Sequence, residues 1–96
     1  MNVHWTNRSV EQLMAIYEYI ARDSQLYAKR TADKLTRCTE KLADFPKMGR
    51  KVKEYDADEI REIFEGQYRI IYRIKPKQID ILAVIHGARL LPDTIE

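Results

Sequence analysis

The C-terminal half of the chain carries a cationic set whose residue types could do chemistry on phosphate. It consists of Arg61, Arg69, Arg73, His86 and Arg89. Guanidinium groups bind phosphate oxygens through paired hydrogen bonds, and histidine titrates near neutral pH. Such a set could hold an RNA backbone and move a proton, as metal-free RNA cleavage requires. The competing interpretation, which the spacing favours, is that these arginines pair with carboxylates of the chain or of a partner. The nearby carboxylates are Glu62, Glu65 and Asp80.

A second cationic set recurs at intervals of four, three and four residues in the N-terminal half. It consists of Arg30, Lys34, Arg37 and Lys41. On a helix these residues share one face, about 200° around the axis from Ala28, Ala32 and Leu35. This face would suit docking of an acidic partner or of nucleic acid. The default interpretation is a solvated face opposite an apolar one.

The sequence shows none of the patterns that place a metal or a cofactor. Its two histidines, His4 and His86, lie far apart, and neither a C-x-x-C pair nor an H-E-x-x-H motif is present. The three glycines form no phosphate-binding pattern. Cys38 has no obvious base beside it and is expected to be a buried small apolar residue. We therefore expect no cofactor and no metal.

Length and composition predict one globular domain over residues 1–96. The chain is 45% hydrophobic and 33% charged, with a net charge of +2. No apolar run approaches the roughly 18–20 residues that span a bilayer, so no membrane association is expected. The N-terminus lacks the apolar core of a signal peptide, and the single cysteine fits a reducing compartment. The predicted location is the cytoplasm.

Three strands in succession are predicted to present the cationic set. They are Ile60–Glu65, Tyr68–Lys75 and Ile79–Ile85, rich in β-branched and aromatic residues. The short connections, with Gly66 in the first and Pro76 in the second, predict an antiparallel meander.

The two faces of the middle strand are expected to differ, because strand side chains alternate. Tyr68, Ile70, Tyr72 and Ile74 form the mostly apolar face. Arg69, Ile71 and Arg73 form the other, which carries arginines. Another layer must therefore cover the apolar face.

The N-terminal half supplies that layer. Val3–Trp5 is predicted as a short strand that joins the sheet. Ser9 is predicted to cap a helix through a capping box with Gln12, and Ser24 to cap a second helix that Pro46 ends. The apolar positions of the first helix are Leu13, Ile16, Tyr17 and Ile20, and those of the second are Ala28, Ala32, Leu35, Leu42 and Phe45. With residues 51–59 as a surface loop, the predicted fold is a two-layered α+β domain, with a helical hairpin on the meander.

Several segments in this order resemble the RelE/ParE superfamily of toxins from type II toxin–antitoxin systems. They are F-P-K-M-G-R at 45–50, I-R-E at 60–62, Y-R-I-I-Y at 68–72 and V-I-H-G-A-R at 84–89. The resemblance covers nearly the whole chain. It implies a compact toxin that forms a hetero-oligomer with a cognate antitoxin encoded beside it, in a system of the plasmid-stabilisation type. Such antitoxins wrap the toxin with a segment that folds on binding.

The RelE branch of this superfamily cuts messenger RNA on the ribosome without a metal. Two of its arginines fall on Arg69 and Arg89 of this chain. Its two lysines fall on Ile60 and Glu62, and its C-terminal tyrosine falls near Ile95, so these three groups are missing. Glu62 places negative charge where RNA phosphates would lie. His86 could serve as acid or base, as a histidine does in some relatives.

The ParE branch poisons DNA gyrase by protein contact, and the sequence is more similar to this branch. The resemblance then implies a toxin that is not an enzyme. It also implies that Arg61, Tyr68, Arg69, Tyr72, His86 and Arg89 mainly define the fold or face the antitoxin. Taken with the basic face of the second helix, the residues predicted to bind partners are Arg61, Arg69, Arg73, Arg89, Arg30, Lys34, Arg37 and Lys41. The alternative is a RelE-like endoribonuclease that uses Arg69, Arg89 and His86 on the ribosome. A third possibility is a member that has lost toxicity and serves only as an interaction module.

Overall fold

The computed structural model describes residues 1–95, which form two helices and one five-stranded mixed sheet. The elements are β1 (Asn2–Trp5), α1 (Asn7–Ala21), α2 (Gln25–Glu40), a 3₁₀ turn (Lys41–Ala43), β2 (Arg50–Lys51), β3 (Ile60–Glu65), β4 (Tyr68–Ile74) and β5 (Gln78–His86). The strand order is β1-β5-β4-β3-β2, with β1 parallel to β5 and the other pairs antiparallel. The predicted α+β fold with a C-terminal meander is confirmed. Within residues 1–95, neither helix is long and apolar enough to cross a bilayer.

The first helix begins earlier than the capping-box pattern predicts. Thr6, rather than Ser9, is the N-cap: its Oγ1 accepts a hydrogen bond from the Ser9 N–H at 3.3 Å. The same hydroxyl donates to the carbonyl of Ile81 on β5 at 2.7 Å, so the cap also ties α1 to the sheet. Gln12 plays no capping role, because its Oε1 accepts from the Val84 N–H at 2.9 Å. Contacts to β5 therefore decide the position of this helix.

The second helix begins as predicted and ends sooner. The Ser24 hydroxyl accepts from the Tyr27 N–H at 3.1 Å, which confirms the cap. Regular α-helix stops at Glu40, and a 3₁₀ turn replaces the predicted continuation to Pro46. Phe45, predicted as the last apolar position of this helix, is 65% exposed, because the helical register is lost before it.

The sheet is apolar on both faces, whereas the sequence predicted one apolar face. The helix-side core contains Leu35, Leu42, Ile63, Ile70, Tyr72, Ile79, Ile81 and Val84, with Cys38 half-buried against it. The opposite core contains Val52, Ile60, Ile71, Leu82, Ala83, Ile85 and Ile95. A β-bulge allows this arrangement: Ile71 pairs with Ala83 but Tyr72 pairs with Ile81. Leu82 is the extra residue, so two consecutive side chains of β5 enter the opposite core.

Irregular segments cover the opposite face of the sheet. Val52 and Ile95 are buried there, 1% and 5% exposed, although neither lies in a long element. The Tyr55 hydroxyl donates to the Pro92 carbonyl at 2.7 Å, which joins the two covering segments. The predicted surface loop at residues 51–59 therefore contributes Val52 to a core.

The turn at residues 45–50 is held by one buried tyrosine. The Tyr72 hydroxyl donates to the Pro46 carbonyl at 2.6 Å and accepts from the Gly49 N–H at 3.0 Å. Burial raises the pKa of Tyr72 and keeps this hydroxyl protonated as a donor. A Cβ on Gly49 would lie 2.6 Å from the Glu62 carbonyl oxygen, so only glycine fits.

Leu35→Asp tests the packing of α2 on the sheet. Leu35 is fully buried in the helix-side core, so a carboxylate there would be unpaired in an apolar site. We expect the free energy of unfolding, measured by urea denaturation, to fall by about 3 kcal/mol or more. Lys34→Asp introduces the same side chain one residue earlier at an exposed position, and should change stability by about 0.5 kcal/mol at most. Equal stabilities of the two variants would contradict the packing.

Candidate functional site

Arg69, one of the arginines predicted to bind phosphate, is buried and paired. Its side chain is 8% exposed, and its Nε donates to Glu62 Oε1 at 2.9 Å. Its Nη2 also donates to Glu62, and its Nη1 donates to Glu54 Oε2 at 3.4 Å. Burial works to lower the pKa of Arg69, but the bonds to these two carboxylates outweigh it and raise the pKa overall. The guanidinium is therefore charged and has all three nitrogens engaged.

The Glu62 carboxylate is the centre of this network. Its other oxygen, Oε2, accepts from Arg50 Nε at 2.8 Å, so one carboxylate bridges two guanidinium groups. Both arginines also lie near the Phe64 ring, with Arg50 at 5.0 Å and Arg69 at 6.0 Å from its centroid. Glu62 is 2% exposed, and a buried carboxylate requires such partners. The buried charges on the face of the sheet that carries Arg69 are therefore paired with one another.

Two other predicted cations also have structural partners. Arg61 donates to the Gly49 carbonyl at 3.0 Å and to Asp58 Oδ1 at 3.1 Å. Arg73 donates to the Ile95 carbonyl at 3.3 Å, where it holds the C-terminal segment. Both side chains stabilise loops packed on the sheet.

Asp80, a predicted partner for the arginines, pairs instead with Lys75. Burial alone would raise the pKa of Asp80, but hydrogen bonds from Lys75 Nζ at 2.6 Å and Gln78 Nε2 at 2.6 Å lower it overall. Its charge stabilises the hairpin between β4 and β5. Of the three carboxylates predicted as possible partners, Glu62 alone pairs with arginine among residues 1–95.

His86 and Arg89 lie in a different environment, at the exposed end of β5. Both line a pocket of about 370 Å³ between the helical hairpin and the end of the sheet. The His86 ring meets the Tyr68 ring edge-on, with centroids 5.4 Å apart. Tyr68 and Arg69 alternate on β4, so Arg69 projects from the other face of the sheet. The three residues predicted as a catalytic set are therefore divided between two faces.

The predicted basic face of α2 is present and exposed. Arg30, Lys34, Arg37 and Lys41 all lie at the surface. Arg30 and Lys34 line a second pocket, of about 390 Å³, together with Tyr27, Glu65 and Tyr68. Within the described part of the chain, none of the four basic residues forms an ion pair. These cations are free to meet a ligand.

Sequence reasoning missed some members of both sites. Arg50 lies in the two-residue strand β2 and Glu54 in the irregular segment after it, and neither stretch is long enough to show a periodic pattern. Tyr27, Thr31 and Gln67 line the pockets because the helical hairpin packs on the sheet, and such a long-range contact leaves no local pattern in the sequence. Residues 1–95 contain no cluster of three or more side chains that could hold a metal ion.

Glu62→Ala tests the closed network. Removing this carboxylate leaves the buried Arg69 with only the longer bond, at 3.4 Å, to the partly exposed Glu54, so we expect the free energy of unfolding to fall by about 3–5 kcal/mol. Glu65→Ala, on the same strand but only half-buried, is the matched control and should cost about 1 kcal/mol or less.

Replacing both charges should rescue much of this loss. In the double variant Glu62→Leu/Arg69→Met no buried charge is left unpaired, so its stability should exceed that of Glu62→Ala by about 2 kcal/mol or more. Urea denaturation measures both differences. A Glu62→Ala variant as stable as the parent would contradict the burial of this pair.

The chain is similar to known toxins over nearly its whole length. The family described as "ParE toxin of type II toxin-antitoxin system, parDE" matches residues 3–91. Toxin RelE2 of Caulobacter vibrioides is 34% identical over 89 residues, which cover 92% of this chain and 97% of the relative. A solved structure described as "Chromosomal ParDE TA system from P. aeruginosa" shares the fold, with a TM-score of 0.73 at 20% identity over 90% of this chain and 95% of that one. The chain belongs to the ParE toxin family of type II toxin–antitoxin systems.

Proposed function

We propose that this toxin arrests growth by binding DNA gyrase in the cytoplasm and that a cognate antitoxin neutralises it. In this proposal the toxin acts by protein contact and is not an enzyme. The observation that carries it is the burial of Arg69 in a network with Glu62 and Glu54. Membership of the ParE toxin family supports neutralisation by an antitoxin. The pairing of Arg69 with carboxylates of its own chain supports action by protein contact rather than by catalysis.

The network argues against RNA cleavage on electrostatic grounds. Cleavage without a metal needs cations directed at the phosphate that gains charge in the transition state. Arg69 directs its donors at two carboxylates, and Glu62 beside it would repel a phosphate. Separating the Arg69–Glu62 pair to admit RNA would leave a buried charge unpaired, at a cost of about 3–5 kcal/mol.

The tip of the helical hairpin suits a protein partner. Tyr19, Leu26 and Tyr27 are 72%, 61% and 61% exposed there. Large apolar and aromatic side chains that cluster at a surface are typical of protein-binding sites. We therefore place the gyrase contact at this tip.

A supercoiling assay on relaxed plasmid tests the gyrase proposal. The purified chain should inhibit supercoiling or trap cleaved DNA at modest molar excess over gyrase. Leu26→Ser should raise the concentration needed by about tenfold, as expected for an interface anchor. Phe45→Ser removes a comparably exposed apolar side chain outside the hairpin and is the matched control. Normal supercoiling at large excess of folded toxin would contradict the proposal.

A second candidate function, ribosome-dependent RNA cleavage, has one favourable observation. His86 and Arg89 line the same open pocket, where a proton donor and a phosphate-binding cation would be needed. We expect no cleavage of messenger RNA by the parent chain on translating ribosomes, because Arg69 is not available to the same pocket. Cleavage that is lost in Arg89→Ala but retained in Arg37→Ala would favour the endoribonuclease instead. Normal growth during expression without antitoxin would favour the third possibility, an interaction module.

A further inference from the structure

Two pockets on the helix side of the sheet lie side by side and share part of their lining. The pocket beside His86 and Arg89 and the pocket beside Arg30 and Lys34 are lined in common by Tyr27, Thr31, Gln67 and Tyr68. We call the combined feature the hairpin groove. It runs between the two helices and the turn that joins β3 to β4, and each part has the volume of a small-molecule site.

Charge in the hairpin groove is concentrated at its two ends. Arg89 and His86 lie in one part, and Arg30 and Lys34 lie in the other. Glu65 is the single carboxylate among the described lining residues. The groove thus offers two cationic ends separated by uncharged side chains. That pattern complements a ligand with repeated negative charges.

Aromatic side chains occupy the middle of the groove. Tyr27 is 61% exposed, so much of its ring is in contact with solvent. Tyr68 is half-buried and is fixed edge-on against His86. Tyr19 also lines the groove and is 72% exposed. Exposed rings between cationic groups are the arrangement by which proteins hold unpaired bases and a phosphate backbone together.

We propose that the hairpin groove binds single-stranded nucleic acid, with phosphates at the two cationic ends and a base stacked on Tyr27. This goes beyond the proposed contact with gyrase and does not depend on it. A duplex is a poorer fit, because its bases are stacked on each other and have no free faces for the tyrosines. An acidic peptide would satisfy the cations but would leave the ring faces without a planar partner. The Thr31 hydroxyl and Gln67 amide add hydrogen-bonding groups that suit base edges.

The groove is separate from the face that carries Arg69. That arginine has carboxylate partners on the opposite face of the sheet, whereas Arg30 and Lys34 have none among residues 1–95. Unpaired cations on the surface hold loosely associated counterions that a polyanion releases on binding. Affinity through this groove should therefore depend on salt.

Fluorescence anisotropy with labelled oligothymidylate and oligouridylate of about 12 nucleotides tests the proposal. The folded parent chain should bind single strands more tightly than a duplex of the same length. Affinity should fall between about 50 and 200 mM salt. The two oligonucleotides distinguish DNA from RNA as the source of the strand. Equal or tighter binding of the duplex, or no binding at low salt, would overturn the proposal.

Paired charge variants locate the site. Arg30→Ala/Lys34→Ala should weaken binding at least tenfold and reduce the slope of log affinity against log salt by about 1.4, since each cation contributes about 0.7 for single strands. Arg37→Ala/Lys41→Ala removes the same charge from the same helix outside the groove and should weaken binding by less than threefold. Equal effects of the two variants would mean that the oligonucleotide is attracted to the whole basic face of the helix, and would overturn binding in the hairpin groove.

Variants of Tyr27 test the stacking. Tyr27→Leu should weaken binding at least fivefold, while Tyr27→Phe, which keeps the ring, should bind like the parent. Identical affinities of the two variants would overturn stacking at this position. Oligoglutamate that binds more tightly than the oligonucleotides would identify an acidic protein segment as the occupant instead. Because these assays contain no gyrase, their failure is independent of the supercoiling result, and thermal melting of each variant verifies that it is folded.

Discussion

Most of β4 and β5, the second and third strands of the meander, is buried on both faces, and the rest of the structure follows from that constraint. β5 is buried without interruption from Ile79 to Ile85, and two helices can cover one face of a sheet this small. The bulge at Leu82 assigns consecutive side chains to the opposite face, so that face also needs a cover. Residues 52–59 and the segment around Ile95 supply it. Chain without regular structure is thereby part of a core.

Because loops cover the second face of the sheet, the charged side chains buried on that face must form ion pairs. A sheet face covered by loops excludes water, and an arginine on it would be costly without a carboxylate. Glu62 lies on the neighbouring strand, close to Arg69, and accepts from both Arg69 and Arg50. The network therefore stabilises the scaffold. A residue whose type and spacing fit phosphate binding serves the fold instead, because burial decides the role of a cation.

Local patterns predicted the elements that local forces determine. The strands from Ile60 to His86 and the Ser24 cap could be read from alternation and capping chemistry, because both depend on neighbours in sequence. The Thr6 cap could not, since a capping-box match at Ser9 says nothing about the Ile81 carbonyl that Thr6 also bonds. The second core could not be predicted from the sequence for the same reason. Val52 and Ile95 lie in irregular chain, and isolated apolar residues there carry no period.

The distribution of charge separates the two sides of the molecule. Cations on the loop-covered side have partners: Arg69 donates to two carboxylates and Arg73 donates to a backbone carbonyl within the fold. Cations along the hairpin side, from Arg30 to Lys41, have no such partner among residues 1–95. Tyr19 and Tyr27, which are 72% and 61% exposed, lie on that side as well. Recognition requires side chains whose charges and faces are unsatisfied in the free protein. The hairpin side meets that requirement, and the sheet face behind it serves to hold the hairpin in place.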